Sequence, residues 1–247
     1  MELAGTIERT YGKLFKYALI AVNPLKKTII QTECQIHKHI NHQAIEILRN
    51  DMFLDAYSFF NDFIEQLDDG TVWADQDFKS TGHFYNPSVK KGLYGSTNAM
   101  SLAIEYYTNA LEYWRDGKID NSMFYLGAAV HLVQDMTVPQ HANIRLLDSH
   151  RQYENFIKRT YLSTSRYNTD KGGYYIESIE EAIRCNARNA IKIYSRLKNI
   201  KDDEKRYYTI AKFTLPLAQR TTAGCLLRFY KDVGKKKYQN HRILFTP

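Results

Sequence analysis

The chain has 247 residues, enough for one large domain or two small ones with a sizeable buried core. Its net charge of +7 fits an anionic partner (a membrane surface, a phosphorylated substrate or nucleic acid) as well as it fits an ordinary basic soluble protein. The three cysteines, Cys34, Cys185 and Cys225, form no CxxC pair, which argues against a thiolate zinc site and a disulfide framework, and no apolar run approaches the ~20 residues of a membrane span. Residues 1–35 read as an amphipathic extension. Ile7, Tyr11, Leu14, Phe15, Ala18 and Leu19 share one helical stripe, Lys13 and Lys16 lie beside it, and Pro24 breaks the pattern. Such a helix docks on its own domain or lies on a membrane surface. The apolar piece at 17–22 is short for a secretory signal and no A-x-A site follows it. A cytoplasmic or membrane-peripheral location is therefore expected over secretion.

A helix is expected from near Ile36, with His37, Ile40, Ala44, Ile47 and Leu48 on one face. A lone histidine on an apolar face is commonly a satisfied core residue. His39 and His42 fall on other faces and are expected to be solvated. Residues 50–67 read as one amphipathic helix rich in Phe and Asp, ending at Asp68-Asp69-Gly70. From there to Gly95 there is little periodicity, and loops this long inside compact domains are usually functional. Asp75, Asp77 and His83 lie in it. Residues 96–114 and 120–134 read as long helices, with Gly117 at a C-terminal cap between them.

The second of these helices runs into the stretch HLVQDMTVPQHAN. His131 and Asp135 are four apart and share a helix face. Gly127 and Ala128 precede them and are expected to leave room beside the polar pair. Pro139 is expected to stop the helix, His141 follows, and Glu154 lies in the next helical pattern, HRQYENFIKRTY. Imidazole and carboxylate are what zinc takes where no thiolate is offered. His131 and Asp135 alone read equally well as a satisfied buried pair; His141 and Glu154 tip the reading towards metal. Gly172-Gly173 marks a turn, and residues 175–198 and 202–230 complete the helices, with Pro216 expected to kink or split the last. Residues 233–247 read as a basic, mobile tail. With no β-alternation, glycine-rich phosphate loop, serine elbow or internal repeat, the fold class is all-α. One multi-helix bundle over 36–232 is expected, carrying a long metal-ligand-bearing loop.

HLVQDMTVPQHAN followed by YENF resembles the zinc-dependent bacterial phospholipase C family. That family has a His-x3-Asp helix, a Pro-x-His-x-Ala/Pro-Asn turn and a Glu in a short aromatic context. HKHINHQAIEIL resembles its early ligand helix, in the register that makes His37 the ligand. DGTVWADQDFKSTGHFYNP resembles its Gly-x4-Asp … Ser-His-Phe-Tyr/Trp-Asp-Pro loop, which maps ligands onto Asp75, favoured over Asp77 by the Gly70 spacing, and His83. AQRTTAG at 218–224 resembles a packing segment. The resemblance spans roughly residues 34–230. It implies His37, Asp75, His83, His131, Asp135, His141 and Glu154 as ligands of roughly two to three zinc ions, with Asp75 also the catalytic base. One zinc would take Asp75, His83, His131 and Asp135, a second His141 and Glu154, and a third His37 and a bridging Asp135. The implied reaction is phospholipid cleavage, by zinc-activated water, to diacylglycerol and a phosphorylated head group. A zinc-dependent nuclease or other phosphodiesterase is the alternative, though Lys158 stands where such nucleases carry a later Asp. A non-catalytic zinc-stabilised bundle is another. Gln76 and Ser80 replace the aromatic residues that would favour choline, so weak choline preference is expected. The N-terminal Trp that serves the third zinc in secreted relatives has no counterpart at 24–27, and Trp73 and Trp114 lie too far along. A weak third site is expected, with Cys34 as a substitute ligand or unrecognised processing as alternatives.

Overall fold

The computed structural model describes residues 35–76, 82–93, 97–144 and 149–243, with side chains as far as residue 234. The expectations for the 1–34 extension, Cys34, Asp77 and Ser80 lie outside the described residues. Among the described residues the regular structure is helical, and the one β feature is an isolated bridge between Asn86 and Lys91. The helices are α1 (Gln35–Asn50), α2 (Leu54–Asp62), α3 (Ile64–Ala74), α4 (Ala99–Arg115), α5 (Ile119–Asp135), α6 (Pro139–Asn143), α7 (His150–Thr160), α8 (Ile179–Leu197) and α9 (Asp203–Ile243). The fold is all-α, as expected.

The bundle is built around α5. Every residue from Leu126 to Asp135 is buried, including His131, Gln134 and Asp135. A helix buried all round sits at the centre of its fold. It packs most closely on α4 and α3. A Cβ at Gly70 would stand 1.7 Å from the Phe124 carbonyl oxygen, and one at Gly127 would stand 2.0 Å from that of Leu67. The two glycines therefore let the backbones of α3 and α5 touch. The Thr71 hydroxyl bridges them, donating to the Leu67 carbonyl at 2.9 Å and the Gly127 carbonyl at 3.2 Å. The space expected beside His131 and Asp135 is thus taken up by a neighbouring helix. α4 begins at a reciprocal cap between Asn98 and Ser101. α7 buries Tyr153, Phe156 and Ile157 in a second core with Tyr207, Ile210 and Leu215 of α9.

Several expected boundaries move. The single helix expected over 50–67 is two. Met52 takes a positive φ of 67° after α1, and Phe63, with φ −121° and ψ 19°, separates α2 from α3. Asp68-Asp69-Gly70 lies inside α3 because Gly70 serves the contact with α5, so helix continues to Ala74, into the expected loop. α5 ends at Asp135, before Pro139, which instead opens α6. Pro216 does not split α9; flanking Leu215, Leu217 and Ala218 are buried and hold the helix through the lost hydrogen bond. The basic tail expected from residue 233 enters as the last turns of α9. Gly117 and Gly172 take positive φ at the expected cap and turn.

Candidate metal centre

Six segments, spread from α1 to α7, bring their imidazoles and carboxylates together at the C-terminal end of α5. Asp135 is its last helical residue, 4% exposed and faced by rings from four directions. Its Oδ2 lies 2.8 Å from His83 Nδ1, 3.3 Å from His131 Nε2 and 3.5 Å from His141 Nδ1; its Oδ1 lies 3.5 Å from His37 Nε2. His131 reaches it along the same helix face, one turn back. His37 comes from the first turns of α1, and its ring lies against that of His131 with centroids 4.3 Å apart. Asp75 follows the last turn of α3, with Oδ1 4.0 Å from His131 Nε2. Asp75 thus continues the helix whose backbone packs on α5 at Gly70 and Gly127. His83 stands in the 82–93 segment, which is tied to α6 by the Tyr85 amide donating to the His141 carbonyl at 3.2 Å.

His141 of α6 stacks on Phe84 with ring centroids 4.8 Å apart. Its Nε2 is 2.7 Å from His150 Nε2, and His150 Nε2 is 2.8 Å from Glu154 Oε1. Glu154 is the most open of these groups, with a side chain 37% exposed. The donors fall into three clusters: His37, His131 and Asp135; Asp75, His83 and His131; and His141, His150 and Glu154.

All the residues expected to be ligands therefore meet at one place, joined by one that was not expected, His150. Its signal was in the sequence. His150 and Glu154 repeat the i, i+4 spacing of His131 and Asp135, and both pairs read HxxxD/E within a helical pattern. Of the three histidines of α1 only His37 arrives. His39 is not free in solvent; its Nε2 bonds Asn168 Oδ1 at 2.9 Å in a half-buried setting. His42 is exposed, yet its Nε2 lies 3.0 Å from Asp68 Oδ2.

The donor set suits a bound cation. Ring nitrogens of His131 and His83 face each other at 3.4 Å, as do those of His141 and His150 at 2.7 Å, and His131 Nδ1 is buried with no hydrogen-bond partner. Two neutral imidazoles can share one proton, but converging lone pairs without thiolates are what zinc takes. Burial lowers the pKa of His37 and of His83, outweighing Asp135. At His131 burial also disfavours the charged ring, but the charge and hydrogen bond of Asp135 prevail and the pKa rises. At His141 burial is outweighed by Asp135 and Glu154, and the pKa rises to about 8. Asp135 and Glu154 are lowered: burial opposes ionisation, but the surrounding rings more than compensate.

The profile of the family described as zinc-dependent phospholipase C matches residues 36–211. A phospholipase C of Clostridium novyi is 25% identical over 84% of this chain and 62% of its own length. One of Listeria monocytogenes is 28% identical over 69% of this chain and 64% of its own length, and one of Bacillus cereus 27% identical over 81% and 82%. In fold the chain is similar to the alpha toxin from Clostridium absonum, with a TM-score of 0.72 and 22% identity, covering 81% of this chain and 64% of the toxin. The chain thus spans under two thirds of the length of the first of these relatives. The profile match covers well over half of the chain and takes in every donor of the centre, from His37 to Glu154: the chain belongs to the zinc-dependent phospholipase C family.

Proposed function

We propose that this protein is a zinc-dependent phosphodiester hydrolase of the phospholipase C type, cleaving phospholipids to diacylglycerol and a phosphorylated head group. The observation that carries the reading is the convergence of eight histidine, aspartate and glutamate donors, in three clusters, at the end of the most buried helix. His37, Asp75, His83, His131, Asp135, His141, His150 and Glu154 would hold roughly two to three zinc ions. Bound there, zinc supplies a water acidified to a pKa of about 7 and positive charge for the phosphate oxygens. The chain's own groups divide the remaining work. Asp135, anionic and shared, fixes the separation of the inner donors. Asp75, with a side chain 28% exposed, borders both the donors and solvent and takes the proton of the attacking water at a carboxylate oxygen. As the water oxygen bonds to phosphorus, the bond to the glycerol oxygen breaks, and that oxygen takes up a proton. Glu154 and His150 stand at the open side, where a head group enters. The net charge of +7 suits an anionic bilayer, and peripheral contact with a membrane surface is part of the proposal. Gln76, beside Asp75, brings no aromatic face to a quaternary ammonium, so choline should be weakly preferred or not at all.

The test is a substrate panel on zinc-loaded protein. Choline, ethanolamine, glycerol and inositol phospholipids in mixed micelles are set against single-stranded DNA and RNA. Release of diacylglycerol that a chelator abolishes supports the proposal. Cleavage of nucleic acid without lipid hydrolysis replaces it with the nuclease reading, and fewer than about one zinc per chain removes the metal assignment.

A further inference from the structure

His37 differs from the other inner histidines in what holds its second ring nitrogen. His37 Nδ1 lies 2.8 Å from Gln134 Oε1. Gln134, 1% exposed on α5 beside Asp135, donates from Nε2 to Asn41 Oδ1 at 2.8 Å. Asn41, fully buried on α1, donates from Nδ2 to Asp68 Oδ1 at 2.9 Å and to Thr71 Oγ1 at 3.0 Å. The chain of bonds ends at Asp68 of α3, whose other oxygen faces exposed His42 at 3.0 Å.

The direction of this chain follows from one group. A carboxylate only accepts, so Asp68 makes Asn41 present its NH2. The Asn41 oxygen then faces Gln134, which must present its own NH2. The Gln134 oxygen then faces His37, which must carry its proton on Nδ1. A neutral imidazole has one proton, so Nε2, the nitrogen facing Asp135, keeps its lone pair. The hydroxyls that touch the chain, Thr71 and Thr222 (3.3 Å from Gln134 Nε2), can donate or accept and set no direction.

We propose that Asp68, Asn41 and Gln134 are positioning residues that fix His37 as its Nδ1-protonated tautomer and so present Nε2 to a metal ion. The proposal rests on the reading of the centre as a zinc site, but its first step is visible without zinc. Partners behind a metal-binding histidine fix its tautomer and typically account for 10- to 100-fold in metal affinity. Here the determining carboxylate lies three hydrogen bonds away from the ring it controls.

Asp68→Asn separates this role from simple packing, because it keeps the volume while allowing the chain to run backwards. In that variant the new side-chain amide can donate to Asn41, Asn41 to Gln134 and Gln134 to Nδ1, which leaves the proton on Nε2. The measurement is a long-range 1H–15N spectrum of 15N-histidine-labelled, metal-free protein at pH 8, with the His37 signals assigned by their loss in His37→Gln. Wild type should show Nδ1-protonated His37, and Asp68→Asn should move a measurable share to the other tautomer. In zinc titrations the weakest site should loosen by ~10-fold or more in Asp68→Asn, while the tighter sites hold. His42→Ala, which leaves the carboxylate in place, should change neither result. An Nε2-protonated His37 in metal-free wild type overturns the proposal, and that result needs no variant to fold. So does an Asp68→Asn protein that keeps the wild-type tautomer. If Asp68→Asn does not fold, Gln134→Met, which offers no amide oxygen, should scramble the tautomer, and an unchanged spectrum there is equally fatal. Wild type that binds no zinc defeats the metal reading itself; zinc bound normally with an unmoved tautomer in the variants defeats only the positioning role.

Discussion

The inner and outer parts of the donor cluster are built differently. The inner part gathers His37, His83 and His131 around one buried carboxylate on α5, a long helix that packs backbone to backbone on α3. The outer part, His141, His150 and Glu154, rests on the five-residue α6 and the first turns of α7, and its carboxylate side chain is 37% exposed. Under the proposed function such a centre separates two tasks, with rigidity where metal spacing would be set and openness where a substrate would enter. Removing metal should therefore loosen the outer part first, since the rings of His83 and His131 still bond Asp135.

The sharpest way to break the comparison is at Asp135. Asp135→Asn takes a charge away from four neighbouring imidazoles at once and should lower kcat/KM by more than ~100-fold. Glu154→Gln, at the open side, should cost less, ~10-fold, with zinc content reduced by a smaller share. Turnover in mixed micelles and metal analysis of both proteins decide it. Equal losses would mean that the two parts act as one unit.

The inner scaffold can be broken without touching a donor. Gly127→Ala drives a methyl group into the Leu67 carbonyl and should cost on the order of 1–3 kcal/mol or more in urea denaturation. Gly234→Ala meets nothing within 4 Å and should stabilise its helix by about 0.5–1 kcal/mol. If both glycines respond alike, the approach of α3 to α5 at Gly127 is not as close as that contact implies.

How much of this could be read from the sequence follows the same division. The all-α class and the helices with capping or turn signals, such as α4 and the Gly117 cap, were legible because local chemistry specifies them. The break at Phe63 was not, since no Gly or Pro marks it, and Asp68-Asp69-Gly70 resembles a helix end while serving a buried network and a backbone contact. Pro139 opens α6 after α5 has already ended, and Pro216 does not split α9, because a proline ends a helix, opens one or is carried within it according to what packs around it. The donors converge as the motifs implied. His150 was passed over although its spacing to Glu154 repeats that of His131 to Asp135. His39 was misread as solvated because its partner, Asn168, lies 129 residues away, and no local pattern shows such a bond.

A pH series probes the outer part. His141 has its pKa raised from 6.5 to about 8 in the metal-free chain. Its contribution to stability is therefore complete below about 6.5 and is lost as pH rises through about 8. Zinc must displace that proton, so affinity at the outer cluster should fall by up to ~10-fold per pH unit below pH 8. In the inner clusters burial keeps His37 and His83 neutral, but Asp135 raises the pKa of His131, so those sites should lose affinity with acid as well. Competition titrations with a chromogenic chelator between pH 6.5 and pH 8.5 read the slope at the outer cluster; an affinity there that holds steady as pH falls would contradict the argument.

The smallest expected effect lies beyond the far end of α1, away from the donors. Asp51 accepts the amides of Gly172 at 2.9 Å and Gly173 at 2.8 Å, together with the Tyr175 hydroxyl, and so ties the turn at 172–173 to the helix end. Burial pushes its pKa up, but these donors outweigh burial and hold it below the ordinary value of 3.8. A carboxylate lowered in this way contributes stability that is present above about 3.8 and is lost as pH falls through its folded-state value. Asp51→Asn keeps the shape but weakens the acceptor, and the site is open to solvent, which screens the charge. The loss at pH 7 should therefore be about 1 kcal/mol or less. It should shrink further as wild type is acidified below pH 4, because the two chains then become alike. Zinc content and turnover should stay at wild-type values, since no donor touches this clamp. Thermal melts of both proteins from pH 3 to pH 7 test it. A difference in melting temperature that grows towards acid would reverse the sign of the argument and show that Asp51 is held as the neutral acid.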